Sequence, residues 1–311
     1  MDDGGVGGAV SGTQWVLQGG GYRAVVVEVG GGLRNLCQGG REVVDGYGPQ
    51  EIAPGGAGQV LAPWPNRIRD GRFSFAGRSY QLALSEPAQH NAIHGLVRWA
   101  PWRPVAVAPD TVTLEYVLPA QVGYPWTLRL ATTWAVGPDG LRVRHTATNR
   151  SGQPCPFGLG VHPYLMLPGT EVADLTLTLG ARNRLLLDSR MLPIGAARVA
   201  GGEFDFTAGR RLAGTELDTA FGDLPPGGTT ARLADQGTGA AVEVWADEAF
   251  RWWQVFTGHT LPRPRTRRSV ALEPMTCPPD AFHSGRDLVT LAPGGTWSGA
   301  WGVRAFPPPG Q

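Results

Sequence analysis

Apolar and polar residues alternate with a period of two along much of the chain. In WTLRLATTWAVGPDGLRVRHTATN, Leu128, Leu130, Trp134 and Val136 alternate with polar or small residues up to a Pro138-Asp139-Gly140 turn. Beyond the turn, Leu141, Val143, His145 and Ala147 alternate with Arg142, Arg144, Thr146 and Thr148. Alternation of this kind puts the apolar set on one face of an extended strand, and the turn folds the two runs into a long hairpin. Further strand pairs are predicted in GRFSFAGRSYQL, ARLADQGTGAAVEVWAD and the C-terminal DLVTLAPGGTWSGAWGVRAF. No segment sustains a helical period, so very little helix is expected.

The 46 glycines and 27 prolines punctuate the chain every few residues, and the intervals between them are short and rich in Val, Leu, Thr, Phe and Trp. Strand signals run from about Gln14 to Phe306 with no charged or Ser-rich linker. The pattern predicts an all-β protein, with residues 1–311 forming a single large antiparallel β-sandwich domain. Residues 1–12, rich in acids and glycine, read as a flexible lead-in rather than a secretory signal. No apolar run approaches the roughly 18 residues of a membrane helix, so a soluble protein with no membrane partner is expected.

Composition narrows the chemistry. All 27 basic residues are Arg, which excludes side-chain lysine catalysis. A net charge of +1 gives no footprint for nucleic acid or an anionic surface, leaving small, near-neutral partners. Cys37, Cys155 and Cys277 are odd in number and far apart, fitting neither a disulfide framework nor a metal knot. A reducing cytoplasm is the simplest location for such a chain.

Three residues stand in unexpected settings. In NAIHGLVRWAPW, His94 lies among Ile93, Leu96, Val97, Trp99 and Trp102 and can be packing or chemistry. In PCPFGLGVHPYLML, His162 shares a strand face with Gly158 and Gly160, which reads either as an open floor beneath a ligand or as a bulge that needs glycine. In RRSVALEPMTCPPDAF, Glu273 ends an apolar run before Pro274. It is either a solvated strand-end acid or a partly desolvated carboxylate whose proton affinity rises toward that of a general base. His145 reads as a satisfied core histidine, and His90, His259 and His283 as exposed loop residues.

The segments PNRIRDGRFSFAGRSYQL, NAIHGL, GVHPYL, ELDTAFGDL and ALEPMTCPPDAF occur in the order found in aldose 1-epimerases. On these motifs, from about Gly20 to Phe306, the chain resembles the galactose mutarotase-like family. The Trp-Pro before Asn66 and the HGLVRWAPW form are similar to a bacterial subgroup that includes sulfoquinovose mutarotase-like proteins. The resemblance implies a supersandwich with a sugar in an open cleft on one sheet, no metal, no cofactor, and a monomer or weak homodimer. It implies Glu273 as general base, His162 as general acid and His94 as a second histidine touching the sugar. It also implies Asn66, Arg67 and Asp218 as hydrogen-bonding residues for sugar hydroxyls.

Opening a cyclic hemiacetal needs one group to take the anomeric hydroxyl proton and another to protonate the ring oxygen. Glu273 as carboxylate and His162 as imidazolium supply both, each worth roughly a hundred- to ten-thousandfold. Two departures qualify the resemblance. Tyr164-Leu165-Met166-Leu167 replaces the commoner continuation to Phe-Asn-Leu, and the run RPRTRR from Arg263 to Arg268 reads as a solvated loop or as a grip for an anionic sugar. The alternatives are an epimerase of a hexose phosphate or sulfosugar, a non-catalytic sugar-binding sandwich, and, last, a metal hydrolase on His94, His162 and Glu273.

Overall fold

A computed structural model describes residues 8–308. Two large antiparallel sheets lie face to face. One contains nine strands, in the order Arg103–Val107, Thr111–Leu118, Leu128–Gly137, Gly140–Asn149, Thr296–Phe306, Ala241–Ala246, Thr229–Ala234, Thr176–Leu179 and Arg210–Arg211. The other runs Pro193–Arg198, Asn183–Leu187, Asp218–Gly222, Trp252–Phe256, Val270–Met275, Gly160–Val161 and Val60–Leu61, with Tyr164–Leu165 also paired to Val270–Met275. A four-stranded sheet over Gln14–Gly19, Tyr22–Val27, Leu33–Gln38 and Arg41–Glu42 extends the structure. The only α-helix among the described residues is the single turn Ala281–Ser284.

The period of two explains the core. Leu128, Leu130, Trp134, Val136, Leu141, Val143 and Ala147 are buried, while Arg142 and Arg144 are exposed. From the opposite sheet, Phe221, Trp253, Val255, Val270 and Leu272 join the same apolar cluster. His145 is the polar residue within it, and it is satisfied: Trp301 Nε1 donates to its Nε2 at 2.8 Å and its Nδ1 lies 2.9 Å from Thr132 Oγ1. Burial pushes this imidazole down to about 3, so it is neutral.

The hairpins predicted in GRFSFAGRSYQL, WTLRLATTWAVGPDGLRVRHTATN and ARLADQGTGAAVEVWAD form, over 72–81, 128–149 and 229–246. The C-terminal pair does not. Thr296–Phe306 has both of its edges occupied, by Gly140–Asn149 and Ala241–Ala246, so Val289–Leu291 pairs instead with Cys155–Phe157. The lead-in expected over 1–12 lies outside the described residues as far as residue 7. Its remainder is docked: Val10 N–H donates to Pro49 O, Val29 N–H donates to Ser11 O, and Ser11 is buried.

Candidate active site

The outer face of the eight-stranded sheet carries the site, and strand register explains why. Along Asp218–Gly222, Trp252–Phe256 and Val270–Met275, one set of side chains enters the core and the other faces outward. The outward set forms two small apolar clusters. One contains Ala220, Trp252 and Met275, the other Phe256, Ala271 and Tyr164. Between them lies a polar row. Gln254 pairs directly with Glu273, and Asp218, paired with Phe256, sits diagonally from Gln254. Gly160 pairs with Met275 and Tyr164 with Ala271, which puts His162 opposite Glu273 on the next strand over.

Asn66, Arg67, His94, His162, Asp218 and Glu273 all line one cleft of about 170 Å3, together with Gly55, Tyr164, Gln254, Phe256, Thr260 and Leu261. His162 Nε2 lies 3.3 Å from Glu273 Oε1. The His162 ring stacks on Tyr164 at 4.8 Å between centroids, and Tyr164 is fixed in turn by donating its hydroxyl to Gly55 O. The His94 ring meets His162 edge-on at 5.6 Å. His94 has left-handed backbone (φ 63°), and its N–H donates to Asn66 O. Gly95 follows because a Cβ there would stand 2.0 Å from Ala62 O.

Hydrogen bonding fixes the protonation of His94. Asn66 N–H donates to its Nδ1 at 3.2 Å, so in the neutral ring the proton resides on Nε2. Burial, with lesser contributions from His162, Arg98 and Arg67, holds this imidazole well below its ordinary range. Burial also pushes His162 down to about 3, with Arg98 adding to the effect. Glu273 moves the other way, raised well above the ordinary carboxylate range by burial and then by Asp218, against a smaller opposing influence of Arg67. These directions favour a neutral acid beside a neutral imidazole over the ion pair expected from sequence.

His162 Nδ1, Glu273 Oε2 and Gln254 Oε1 are buried without a hydrogen-bond partner. Buried polar atoms without partners are uncommon in folded proteins, and these three, on neighbouring residues of one cleft, are placed where a polar ligand could satisfy them. A larger surface concavity, about 590 Å3 around Asn183, Trp252 and Arg286, has no such feature: Arg251 and Trp252 Nε1 both bond Asp287. Among the described residues, no group of three or more His, Cys, Asp or Glu has a metal-holding arrangement.

Several local expectations are corrected. Gly158 and Gly160 are not an open floor: added Cβ atoms would stand 2.5 Å from Cys277 Sγ and 2.7 Å from Pro65 Cβ, so close packing demands glycine. Of the two tryptophans that follow His94, Trp102 is buried and Trp99 is not. Trp99 is about half exposed, with Arg98 over its ring. His259 is only partly exposed and its Nδ1 lies 3.1 Å from Thr257 Oγ1. Three of the four arginines in the run are engaged by the fold rather than freely solvated or free to grip an anion. Arg265 and Arg268 pair with buried Asp45, and Arg267 donates to Thr215 O and Ala213 O.

Sequence reasoning missed Tyr164, Gln254 and Glu86. Gln254 was visible by the logic applied to Glu273, as a lone polar residue in the apolar run WWQVF; it donates to Asp218 Oδ1 at 2.5 Å. Tyr164 follows His162 at the strand period. Glu86, which grips Arg67, had no signal in its own SEPAQH surroundings.

These features define a class: a β-sandwich protein with acid–base groups in a cleft on the outer face of one sheet. A family model of the aldose 1-epimerases matches residues 13–303, and the chain belongs to that family. It is 33% identical over 288 residues to the uncharacterised protein YihR of Escherichia coli K12, covering 91% of this chain and 90% of that protein. It is 27% identical over 271 residues to the galactose mutarotase of Sus scrofa, covering 81% and 73% of the two chains. The fold matches that of the GalM/aldose epimerase homologue of C. elegans with a TM-score of 0.84 at 19% identity, over 95% of this chain and 99% of that one.

Proposed function

We propose that the protein is a mutarotase, interconverting the α and β anomers of an aldohexose by ring opening and closure. The observation that carries this reading is the His162–Glu273 pair, 3.3 Å apart and aligned by strand register, with a partnerless polar atom on each side chain. Opening requires Glu273 to take the proton of the anomeric hydroxyl while His162 gives one to the ring oxygen. That step starts from carboxylate and imidazolium, a form that differs from the neutral resting pair only in the position of one proton. Hydrogen bonds from a bound sugar offset the cost of separating these charges in a buried cleft. Rotation about the C1–C2 bond presents the other aldehyde face, and the same two transfers in reverse close the ring.

The remaining cleft residues position the sugar. His94, neutral and protonated on Nε2, donates a hydrogen bond near the ring oxygen and takes no part in proton transfer. Asp218 and Arg67 bind hydroxyls, and Asn66 serves chiefly as the backbone anchor of His94. Sugar as the partner, residence in the cytoplasm and a monomeric or weakly dimeric state complete the reading.

A second reading, an anionic hexose such as a hexose phosphate or sulfosugar, draws on Arg98. This half-buried cation forms no ion pair among the described residues, and its charge reaches both His94 and His162. Arg98 does not line the cleft, which favours the neutral sugar. Anomer exchange measured by NMR on glucose, galactose, glucose 6-phosphate and sulfoquinovose tests both. Acceleration of the neutral sugars supports the first reading, acceleration confined to the anionic ones supports the second, and no acceleration of any removes both.

A further inference from the structure

Among the described residues Arg67 is the only arginine lining the cleft, yet one edge of its guanidinium is already committed. Its Nε donates to both carboxylate oxygens of Glu86, at 2.9 and 3.2 Å, and its Nη2 donates to Oε1 at 2.8 Å. Both side chains are largely buried, at 12% and 20% exposure, so this is a desolvated two-point clamp rather than a surface pair. Glu86 is itself immobilised. Its backbone exchanges hydrogen bonds with Asn91 in both directions, and fully buried Asn91 donates from Nδ2 to Glu86 Oε2. Asn91 is braced by donating to Arg190 O. Only Nη1 of Arg67 has no partner among the described residues.

Without this clamp, Arg67 would have two other carboxylates in reach. Its charge already acts on both Asp218 and Glu273. An arginine free to pair with either would fill the cleft with an internal salt bridge, occupying the acceptors a sugar needs and favouring the ionised form of Glu273. We infer that Glu86 is a positioning residue: it holds Arg67 back as a fixed hydroxyl contact and keeps Asp218 and Glu273 free for the substrate. The inference rests on the proposed mutarotase reading for its kinetic consequence, but not for its electrostatic one.

The groups that face Glu273 are Asp218 and Arg67, His162 at 3.3 Å, Tyr164 beside His162, and His94 edge-on behind them. Of these, Arg67 is the one the Glu86 clamp restrains. Losing the clamp should therefore lower the pH at which Glu273 ionises, whether or not a sugar is present.

The test compares wild type with Glu86→Gln, Glu86→Asp, Arg67→Gln and the double variant Glu86→Gln/Arg67→Gln. In sugar-free protein, the Glu273 carboxyl is followed by 13C NMR across pH; in parallel, KM and kcat for anomer exchange are measured on the sugar that wild type turns over. The inference predicts that Glu86→Gln shifts the Glu273 titration to lower pH and raises KM about tenfold, the scale of one lost charged hydrogen bond. Glu86→Asp should recover part of both effects. In the Arg67→Gln background, Glu86→Gln should shift the titration no further. An unchanged titration and KM in a folded Glu86→Gln protein would overturn the inference, as would an equal shift in the absence of Arg67. If Glu86→Gln does not fold, Glu86→Asp, read against Arg67→Gln, gives the same comparison. Failure of wild type to turn over any hexose, with the titration shift intact, would remove the mutarotase reading and leave the clamp standing.

Discussion

Glu273 is a nearly buried carboxyl in the wall of the cleft, and its Oε2 has no partner among the described residues. An arrangement that costs stability and is kept in place is expected to serve chemistry. Glu273→Gln should lower kcat by about a hundred- to ten-thousandfold while stabilising the fold at neutral pH by on the order of 1 kcal/mol, since a neutral amide replaces a buried acid. Polarimetry and thermal unfolding on the same preparation check the two together; a variant both inactive and less stable would count against the assignment. The two histidines separate in the same way. His162→Asn should lose kcat by a similar factor, whereas His94→Ala, removing a neutral donor, should mainly raise KM. Equal losses of kcat would mean that both rings move protons. At this scale His94 was the hardest residue to read from sequence, because its role depends on Asn66 N–H reaching its Nδ1 from a bend 28 positions away.

At the scale of strands, the period of two made the sheets legible, since one buried face is all that an alternating pattern records. The hairpins over 72–81, 128–149 and 229–246 needed only local turn chemistry. Pairings decided by competition for an edge were not legible, and the C-terminal segment shows why: nothing within it reveals that two distant strands occupy both edges of Thr296–Phe306. The glycines before His162 could be read two ways for a related reason, because Pro65 and Cys277 approach them from elsewhere in the chain. Gly160→Ala should therefore destabilise the protein by about 1–3 kcal/mol through overpacking. It should also lower kcat by displacing His162, and a shift in unfolding midpoint with denaturant checks the first effect. An unchanged midpoint would restore the open-floor reading.

For the whole molecule, the buried titratable groups set how stability responds to pH. Glu273 has its affinity raised in the folded state, so above its ordinary value of 4.5 the unfolded chain holds fewer protons and stability falls with rising pH. His162 and His145, lowered from 6.5 to about 3, act oppositely: between those values the unfolded chain binds more protons, and stability rises with pH. The two trends oppose from 4.5 to 6.5, and above 6.5 only that of Glu273 remains. The stability advantage of Glu273→Gln over wild type should accordingly widen as pH rises above 4.5, and an advantage independent of pH would contradict the burial argument. No helix among the described residues is long and apolar enough to cross a membrane.

The central claim is that one shared proton on the His162–Glu273 pair opens the sugar ring. Both transfers need the pair to hold one proton between its two catalytic positions, a state bounded below by protonation of lowered His162 and above by ionisation of raised Glu273. The most direct test is the pH dependence of kcat for anomer exchange, measured at equilibrium by NMR exchange spectroscopy on the best aldohexose. If the proton is shared in this way, kcat stays level as pH falls through 6.5, and the catalysed rate disappears in Glu273→Gln. A catalysed rate that persists in Glu273→Gln, or a wild-type kcat that drops as pH falls through 6.5, would contradict the claim.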